Sequence, residues 1–373
     1  MVHPNFNHIM KPLKLILVLF ALPLSLFSQQ QPSLKTKIGQ MLMMGLTENK
    51  GDANNKLYKD VKKGRVGGIL IYEKHLTATN TAENLQSLIN AYQAASPIPL
   101  FVSIDQEGGL VNRLKPKYGF PPMPSAAYLG SIDNLDSTKF YADTMAYTLF
   151  RLGINLNYAP VLDIYSATNP VLGSRQRTFA ADTAIIIKHA AQTIQSHHNY
   201  KVNTVVKHFP GHGSSTADSH LGITDVSKTW KPEELTPYKA LIEKGLVEAV
   251  MTAHIVNTQL EPSKLPATLS KNIMTDLLRK QLNFKGVIFS DDMQMKAISD
   301  EYGLEDAIAK AINAGVDVLM FSGNIQGVGS SSAKAITKII RKLLKQGKIS
   351  EQSINDSYER IMKMKNDRNN LTK

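Results

Sequence analysis

The chain has 373 residues and a formal charge of +12, with 43 Lys and Arg against 31 Asp and Glu. This length fits two ordinary domains or one large α/β barrel. A composition of 43% hydrophobic and 20% charged residues excludes a collagen-like, coiled-coil or largely disordered chain. The absence of cysteine excludes disulfides, a thiolate metal site and a cysteine nucleophile. The basic residues are scattered along the sequence without interleaved aromatic residues, which argues against a nucleic-acid partner.

The first 28 residues have the pattern of a secretory signal peptide. Lys11 and Lys14 precede the apolar run at residues 15–27, and Ser28 follows it as a small residue suited to cleavage. The run is too short for a comfortable transmembrane helix, and a buried N-terminal helix is the alternative interpretation. We therefore predict an exported protein, periplasmic or secreted. Its mature chain would comprise residues 29–373 and would have no membrane-spanning helix.

Beyond residue 33, short apolar segments alternate with segments of helical character. Short apolar runs bounded by turn residues are typical of strands buried on both faces of a parallel sheet. The strands predicted in this way are residues 41–46, 66–72, 100–104, 154–164, 202–206, 249–253, 286–289 and 316–321.

Glycines and capping residues mark the helices between these strands. A glycine directly after a helix favours the left-handed backbone that ends it. Four predicted helices end in this way: 139–152, 233–244, 304–314 and 333–346, followed by Gly153, Gly245, Gly315 and Gly347. Pro232 fits a first helical residue and Ser270 an N-cap. A closing helix is predicted from Ser350.

Eight β/α units predict a single (β/α)8 TIM-type barrel of the α/β class. A doubly wound open sheet is the alternative. No Gly-x-Gly-x-x-Gly follows the first predicted strand, which argues against a dinucleotide-binding fold.

Charged and polar residues stand directly after several predicted strands, where a barrel of this kind has its active site. They are Asp105, Gln106 and Glu107 after the third strand, Asp163 near the end of the fourth, Lys207 and His208 after the fifth, His254 after the sixth, and Asp291 and Asp292 after the seventh. Any one of them could be a solvated loop residue, but together they predict a polar cleft. His197 and His198, at a polar helix end, are expected at the surface.

The segment 207–220, KHFPGHGSSTADSH, is predicted to be a constrained loop because it contains two glycines and a proline. Asp218 and His220 are two residues apart, so a turn can bring the carboxylate onto the imidazole and support proton transfer. His208, His212, Asp218 and His220 could instead bind zinc. Neither a His-x-His after the first strand nor a His-Glu-x-x-His motif is present, so we predict a site without metal.

Asp291 follows the apolar run 287–290, so its carboxylate is expected to point into the barrel mouth. A carboxylate fixed there can attack the anomeric carbon of a sugar or stabilise the oxocarbenium ion that forms. Asp292 is expected to face away and to accept hydrogen bonds from the backbone.

Four segments, in this order, resemble family 3 of the glycoside hydrolases in its β-N-acetylhexosaminidase branch. They are residues 105–113 (DQEGGLVNR), 177–179 (RTF), 207–213 (KHFPGHG) with the following Asp218-Ser-His, and 286–293 (GVIFSDDM). The similarity extends from about residue 35 to 345. It implies a TIM-type barrel that performs a retaining double displacement with no cofactor.

The resemblance also implies a role for each matching residue. Asp291 would be the nucleophile that forms a covalent glycosyl-enzyme, and His220, held by Asp218, would be the acid/base. The residues implied to bind the sugar are Asp105, Arg113, Arg177, Lys207 and His208.

The sequence departs from the family pattern in several places, two of which concern the sugar-binding residues. Leu110 stands where the family usually has arginine, and both Arg175 and Arg177 are candidates for its sugar-binding arginine. We favour Arg177 because Thr-Phe follows it.

β-Glucosidase-like members carry a second domain that supplies the acid/base, and this chain ends soon after the barrel. The acid/base is therefore expected to come from the barrel.

The predicted function is that of an exported exo-β-N-acetylglucosaminidase acting on cell-wall fragments or chitin-type oligosaccharides. A β-N-acetylglucosaminide phosphorylase is a close alternative, because a histidine acid/base leaves no fixed anion to repel phosphate. A β-glucosidase-type glycosidase and a non-catalytic sugar-binding barrel are further alternatives, although the intact Asp291, Asp218 and His220 argue against the binder. We expect a monomer whose partner is the saccharide substrate.

Overall fold

The computed structural model of the protein describes residues 1–2, 32–49, 51–218, 222–323 and 332–370. The chain divides into two units, Met1–Pro32 and Ser33–Lys373, and every described helix and strand lies in the second. Most of the predicted signal segment 1–28 lies outside the described residues, so the division at residue 28 stays a prediction. Among the described helices, none is both long enough and apolar enough to span a membrane.

The described part of the second unit contains eleven strands. They are β1 Leu42–Gly45, β2 Gly68–Ile71, β3 Phe101–Ile104, β4 Leu156–Asn157, β5 Asn203–Thr204, β6 Val206–Phe209, β7 Thr224–Asp225, β8 Ala249–Thr252, β9 Ile255–Val256, β10 Val287–Asp292 and β11 Val318–Phe321. β7 and β9 pair with each other, and the other nine form one parallel sheet in the order β5-β4-β3-β2-β1-β11-β10-β8-β6.

The parallel sheet closes into a barrel through β5 and β6. These two segments are separated only by Val205 and together form the fifth strand of the barrel. β5 pairs with β4, and β6 pairs with β8, so the first and last strands of the sheet are joined by the chain itself. The prediction of a single (β/α)8 barrel is confirmed, and the open doubly wound sheet is wrong.

The barrel strands are apolar because they are covered on both faces. Every residue of β1, β2, β3, β8 and β11 is buried. Inside the barrel the rings of Phe101 and Tyr158 each contact Phe289 edge-on, with ring centres 6.0 Å apart. Such pairs add about 0.5–1.5 kcal/mol to the stabilisation that burial provides.

Helices surround the barrel. The α-helices of the described residues are α1 Leu34–Gln40, α2 Lys56–Lys62, α3 Thr81–Ala95, α4 Ala126–Ile132, α5 Leu135–Leu152, α6 Thr183–Asn199, α7 Thr236–Glu243, α8 Lys296–Ser299, α9 Leu304–Ala314, α10 Ala333–Lys345 and α11 Glu351–Asn370. Short 3-10 helices lie at Glu73–His75, Pro116–Tyr118, Pro232–Leu235 and Ala267–Leu269, and a π-helix at Asn272–Gln281.

The predicted helix boundaries follow the capping residues. α5 ends at Gly153 (φ 83°) and α9 at Gly315 (φ 105°), both in the left-handed backbone region. A residue with a Cβ atom would be strained in that conformation. Ser270 accepts a hydrogen bond from the backbone N–H of Ile273 at 3.1 Å, as an N-cap does, although the helix that follows is of the π type. The predicted closing helix is α11, with Ile354 and Ile361 fully buried.

Every predicted strand differs from the observed bounds, and the three largest differences all concern the site. β6 continues to Phe209 and β10 to Asp292, so Lys207, His208 and Asp291 lie on strands and not in loops. The predicted strand 154–164 shrinks to β4 and a single bridge from Val161 to Lys207. Pro160 lies between them, and a proline cannot donate to a strand ladder.

Candidate active site

A cavity of about 440 Å³ opens at the C-terminal ends of the barrel strands, a volume in the usual range for small-molecule sites. Each predicted site residue that the structure describes lines it: Asp105, Arg113, Arg177, Lys207, His208, Asp218 and Asp291. Also lining it are Tyr72, Glu107, Leu110, Val111, Val171, Leu172, Arg175, His212, Met251, Asp292, Met295, Met320 and Ser322. His220 lies outside the described residues.

The floor of the cavity contains a chain of four alternating charges. The side chain of Lys207 is only 2% exposed, and its Nζ lies 2.8 Å from Asp105 Oδ1 and 2.6 Å from Glu107 Oε1. Arg177 holds the same Glu107 through two hydrogen bonds of 2.8 Å, from Nε and Nη2. Burial alone would raise the pKa of Glu107, but Arg177 and Lys207 hold it well below its usual range. Glu107 is therefore ionised at neutral pH, between the two cations.

Glu107 is a residue to which the sequence analysis gave no role. It was noted among the polar residues after the third strand, but its partners lie far away in sequence. Its side chain is 5% exposed, and it links the two cations predicted to bind the sugar. A carboxylate two residues after Asp105, at the same strand end, was the available signal. Of the two arginine candidates, both line the cavity, but Arg177 is in this network and Arg175 is exposed.

The loop after β3 is shaped by Gln106, which is buried. Its Oε1 accepts hydrogen bonds from the backbone N–H groups of Arg113 and Leu114 at 2.9 and 3.1 Å. Gly108 (φ 95°) lets this loop turn, and a Cβ there would lie 2.2 Å from the Pro124 carbonyl oxygen. The loop positions Arg113 with its Nη2 3.7 Å from Asp105 Oδ2, at the edge of the charged network.

His208 is oriented by a buried carboxylate on the far side from the cavity. Its Nδ1 lies 2.7 Å from Asp163 Oδ2, and its Nε2 lies 3.4 Å from Arg177 Nη2. Burial would raise the pKa of Asp163, but His208 lowers it. An ionised Asp163 can only accept a hydrogen bond, so Nδ1 of His208 carries a proton and donates a hydrogen bond to Asp163, while Nε2 lies on the side of Arg177. Asp163 is therefore a positioning residue for His208.

Asp291 lies near the end of β10, on the cavity wall. Its Oδ1 accepts the backbone N–H of Asp292 at 2.7 Å, and its own N–H donates to Thr252 Oγ1 at 3.2 Å. The hydrogen bond from Asp292 fixes the direction of this carboxylate. A neighbouring carboxylate, Asp292, accepts the backbone N–H groups of Gln294 at 3.1 Å and Ser322 at 3.2 Å. Burial raises the pKa of Asp292 to about 6.

The base of the loop that carries Asp218 is held by four side chains. Asn169 Nδ2 donates hydrogen bonds to the backbone carbonyls of residues 212 and 213, and Trp230 Nε1 donates one to the carbonyl of residue 210. Asp163 accepts the backbone N–H of residue 212, and Glu234 accepts that of residue 213. Glu234 is 4% exposed, and burial raises its pKa to about 7. The loop therefore leaves a rigid base and reaches the cavity at Asp218.

The histidines considered as zinc ligands have other partners in the structure. His208 Nδ1 lies against Asp163, and His212 Nδ1 lies 2.5 Å from Ser215 Oγ. His254 bridges Thr268 and the carbonyl of Asp292 and is thus part of the barrel framework. Among the residues described, no group of three or more His, Asp or Glu side chains is arranged to hold a metal.

A carboxylate on a barrel strand lines this cavity together with a buried network of charged hydrogen-bonding groups, and such a site suits the class of the glycoside hydrolases. The comparison with known families agrees. The sequence model of the Glycosyl hydrolase family 3 N terminal domain matches residues 33–364. The chain belongs to this family.

Relatives of known name support the same conclusion. A Beta-hexosaminidase of Idiomarina loihiensis is 33% identical over 269 residues, which cover 70% of this chain and 78% of the relative. Beta-hexosaminidase A of Pseudoalteromonas piscicida is 32% identical over 325 residues, 80% of this chain and 53% of the relative.

Solved structures show the same barrel. A family 3 beta-N-acetylglucosaminidase from Paenibacillus sp. superposes with a TM-score of 0.82 and 33% identity, over 90% of this chain and 63% of that one. A beta-N-acetylhexosaminidase from Beutenbergia cavernae gives a TM-score of 0.78 and 28% identity, over 90% of this chain and 99% of that one. The chain thus spans nearly all of one structural relative and less than two thirds of the other.

Proposed function

We propose that the protein is an exported, retaining exo-β-N-acetylhexosaminidase that releases terminal β-linked N-acetylglucosamine from cell-wall fragments or chitin-type oligosaccharides. The observation that carries this proposal is the position of Asp291 on the wall of the cavity whose floor holds the Asp105–Lys207–Glu107–Arg177 network. The named relatives, which are beta-hexosaminidases, support the choice of sugar.

In the first step of the proposed reaction, Asp291 attacks the anomeric carbon. The bond from that carbon to the leaving oxygen breaks, and His220, held by Asp218, gives its proton to this oxygen. In the second step His220 takes a proton from water, whose oxygen displaces Asp291 and restores the β-configuration. A fixed nucleophile and a separate proton carrier are what a double displacement requires.

The charged network binds the neutral sugar through its hydroxyl groups. Lys207 and Arg113 donate, while Asp105 accepts, so the donor and the acceptor of a hydroxyl can both be satisfied. Because Arg177 and Glu107 are locked to each other by two hydrogen bonds, they hold Lys207 in place before the substrate arrives. Such preorganisation lowers the cost of reaching the transition state.

A panel of aryl β-glycosides of N-acetylglucosamine, N-acetylgalactosamine and glucose tests the proposed specificity. We expect the N-acetylglucosamine substrate to be cleaved fastest and the first product to be the β-anomer, as observed by NMR. An α-anomer as first product would overturn the double displacement, and preferential cleavage of the glucoside would overturn the substrate. Turnover compared with and without phosphate separates hydrolysis from phosphorolysis.

Export is proposed from the signal-like pattern that ends at Ser28. The intact mass of protein recovered outside the cytoplasm of its native host tests this. We expect a chain that lacks residues 1–28, and a chain that retains residues 11–28 would contradict export by cleavage.

A further inference from the structure

Several basic residues gather along α10 and the elements beside it. α10 presents Lys334, Lys338, Arg341, Lys342 and Lys345 along a shallow groove of about 960 Å³. From residue 332 to 348 the chain contains no carboxylate. The apolar side chains of α10 lie on its opposite face, where Ile336, Ile340 and Leu343 are fully buried against the barrel. α10 is thus an amphipathic helix with a cationic outer face.

Neighbouring elements extend this cationic face. Lys35 of α1 and Arg65, just after α2, line the same groove, and no described carboxylate lines it. α1 and α2 both pack beside α10, and α2 adds the exposed Lys59 and Lys62. Among the described residues, Arg65 is paired with Asp60, at 2.7 Å, and Lys342 with Glu305, also at 2.7 Å; no such pair is seen for Lys334, Lys338 or Arg341.

We propose that this cationic face, formed by α10, Lys35 and Arg65, docks on the phosphate headgroups of an anionic lipid bilayer. α10 has 13 residues and is therefore about 20 Å long, so its cations match a charged surface better than one small anion. None of the described residues that line the groove is aromatic, so bases have no ring there on which to stack, which disfavours a single-stranded nucleic acid. Basic amphipathic helices are typical of membrane surfaces.

The groove also offers apolar contact, which favours a membrane over a soluble polyanion. The partly buried Ile339 lies among the lysines of the groove, so the face can also contact the apolar edge of a bilayer. α10 begins on the side of the barrel mouth, because it follows the C-terminal end of β11. A bilayer on this face would therefore lie beside the cavity and leave it open.

Vesicle sedimentation with the full chain tests the proposal. Phosphatidylcholine vesicles with about one third phosphatidylglycerol are compared with pure phosphatidylcholine, at a lipid concentration where the neutral vesicles bind less than about a tenth of the protein. The face variant and the matched control each reverse the charge of four exposed cations. The face variant carries Lys334→Glu, Lys338→Glu, Arg341→Glu and Lys345→Glu. The control carries the same number of changes away from this face: Lys228→Glu, Lys231→Glu, Lys239→Glu and Lys285→Glu.

We expect the wild type and the control variant to bind the anionic vesicles, and the face variant to lose that binding about tenfold or more. Raising the salt from about 0.05 M to about 0.5 M should release the wild type. Hydrolysis of a soluble aryl substrate should be the same in both variants, which shows that both are folded.

Three results would overturn the proposal. They are equal losses in the two variants, no preference for anionic over neutral vesicles, and capture by soluble polyphosphate but not by anionic vesicles. Equal losses in the two variants would mean that vesicle binding depends only on the net charge of the protein. Capture by polyphosphate alone would mean that the face binds a soluble polyanion.

Discussion

Glu107 offers the sharpest test of the charged network, because it joins two buried cations that have few other partners. Glu107→Gln removes the charge but keeps the size, so Arg177 loses its paired carboxylate oxygens and Lys207 loses its contact at 2.6 Å. Breaking a buried ion pair from one side costs about 3–5 kcal/mol, since the remaining charge stays buried. The two cations that we propose bind the sugar also lose their positions, so KM should rise together with the loss of stability.

The corresponding change in melting temperature follows from the size of the barrel unit, Ser33–Lys373. About 340 residues at roughly 2.1 cal/mol/K each give an unfolding entropy near 0.7 kcal/mol/K, so 3–5 kcal/mol lowers Tm by about 4–7 °C. Glu73→Gln is the matched control. Glu73 also contacts two lysines, Lys115 at 2.5 Å and Lys117 at 2.7 Å, but its side chain is 28% exposed. Its loss should cost less than about 1 kcal/mol, or about 1 °C.

Thermal unfolding of both variants, recorded from neutral to acidic pH, checks this reasoning. The folded pKa of Glu107 is depressed, so its stabilising effect is complete above the unfolded pKa near 4.3 and is lost as the pH falls toward the folded pKa. The difference in Tm between wild type and Glu107→Gln should therefore narrow only below about pH 4.3. If Glu107→Gln melts within about 1 °C of Glu73→Gln at neutral pH, the network does not stabilise the site.

The other predictions concern the reaction and the loop. Asp291→Ala should lower kcat by several orders of magnitude and leave Tm unchanged. A slow fluorinated substrate should label Asp291 in the wild type, which peptide mass mapping can show. Labelling of Asp292 instead would contradict the assignment of the nucleophile. His220→Ala should slow substrates with poor leaving groups far more than activated aryl glycosides, as measured by kcat/KM, and uniform slowing would make His220 a binding residue. Glu234, whose pKa is raised from 4.5 to about 7, binds its proton more tightly in the folded state. Wild-type stability should therefore fall as the pH rises from about 4.5 to 7, while Glu234→Gln should lack this decline in Tm; parallel pH profiles would show that Glu234 does not titrate there.

The fold could be predicted because its signals are local. Apolar runs marked the strands, and Gly153 and Gly315 marked the ends of helices at which the structure has left-handed residues. The strand ends were misjudged where strands become polar. Lys207 and Asp291 continue β6 and β10, because at the barrel mouth one face of a strand turns toward the charged cavity. An apolar run ends there although the strand does not.

Parts of the site could not be predicted because their partners are distant in sequence. Arg177 and Glu107 are 70 residues apart, and only closure of the barrel brings them together, so the sequence alone indicates no role for Glu107.

The position of His197 differs from the surface position that the sequence predicts. This residue is fully buried, with Nε2 3.0 Å from Asn157 Nδ2. The end of α6 packs over β4 at that point. Burial lowers the pKa of His197 to about 4, which keeps this histidine neutral.

The charges that line the cavity do not account for the positive net charge of the chain. The described ionisable groups that line the cavity are balanced: Arg113, Arg175, Arg177 and Lys207 against Asp105, Glu107, Asp218, Asp291 and Asp292. A balanced site offers donors and acceptors to a neutral sugar without a strong field that would favour anions. The formal charge of +12 is therefore not explained by the substrate. Part of it gathers on α10 with Lys35 of α1 and Arg65, beside the barrel mouth, and none of the described residues that line this groove is a carboxylate. Long-range attraction to an anionic surface is the physical effect that such a concentration produces.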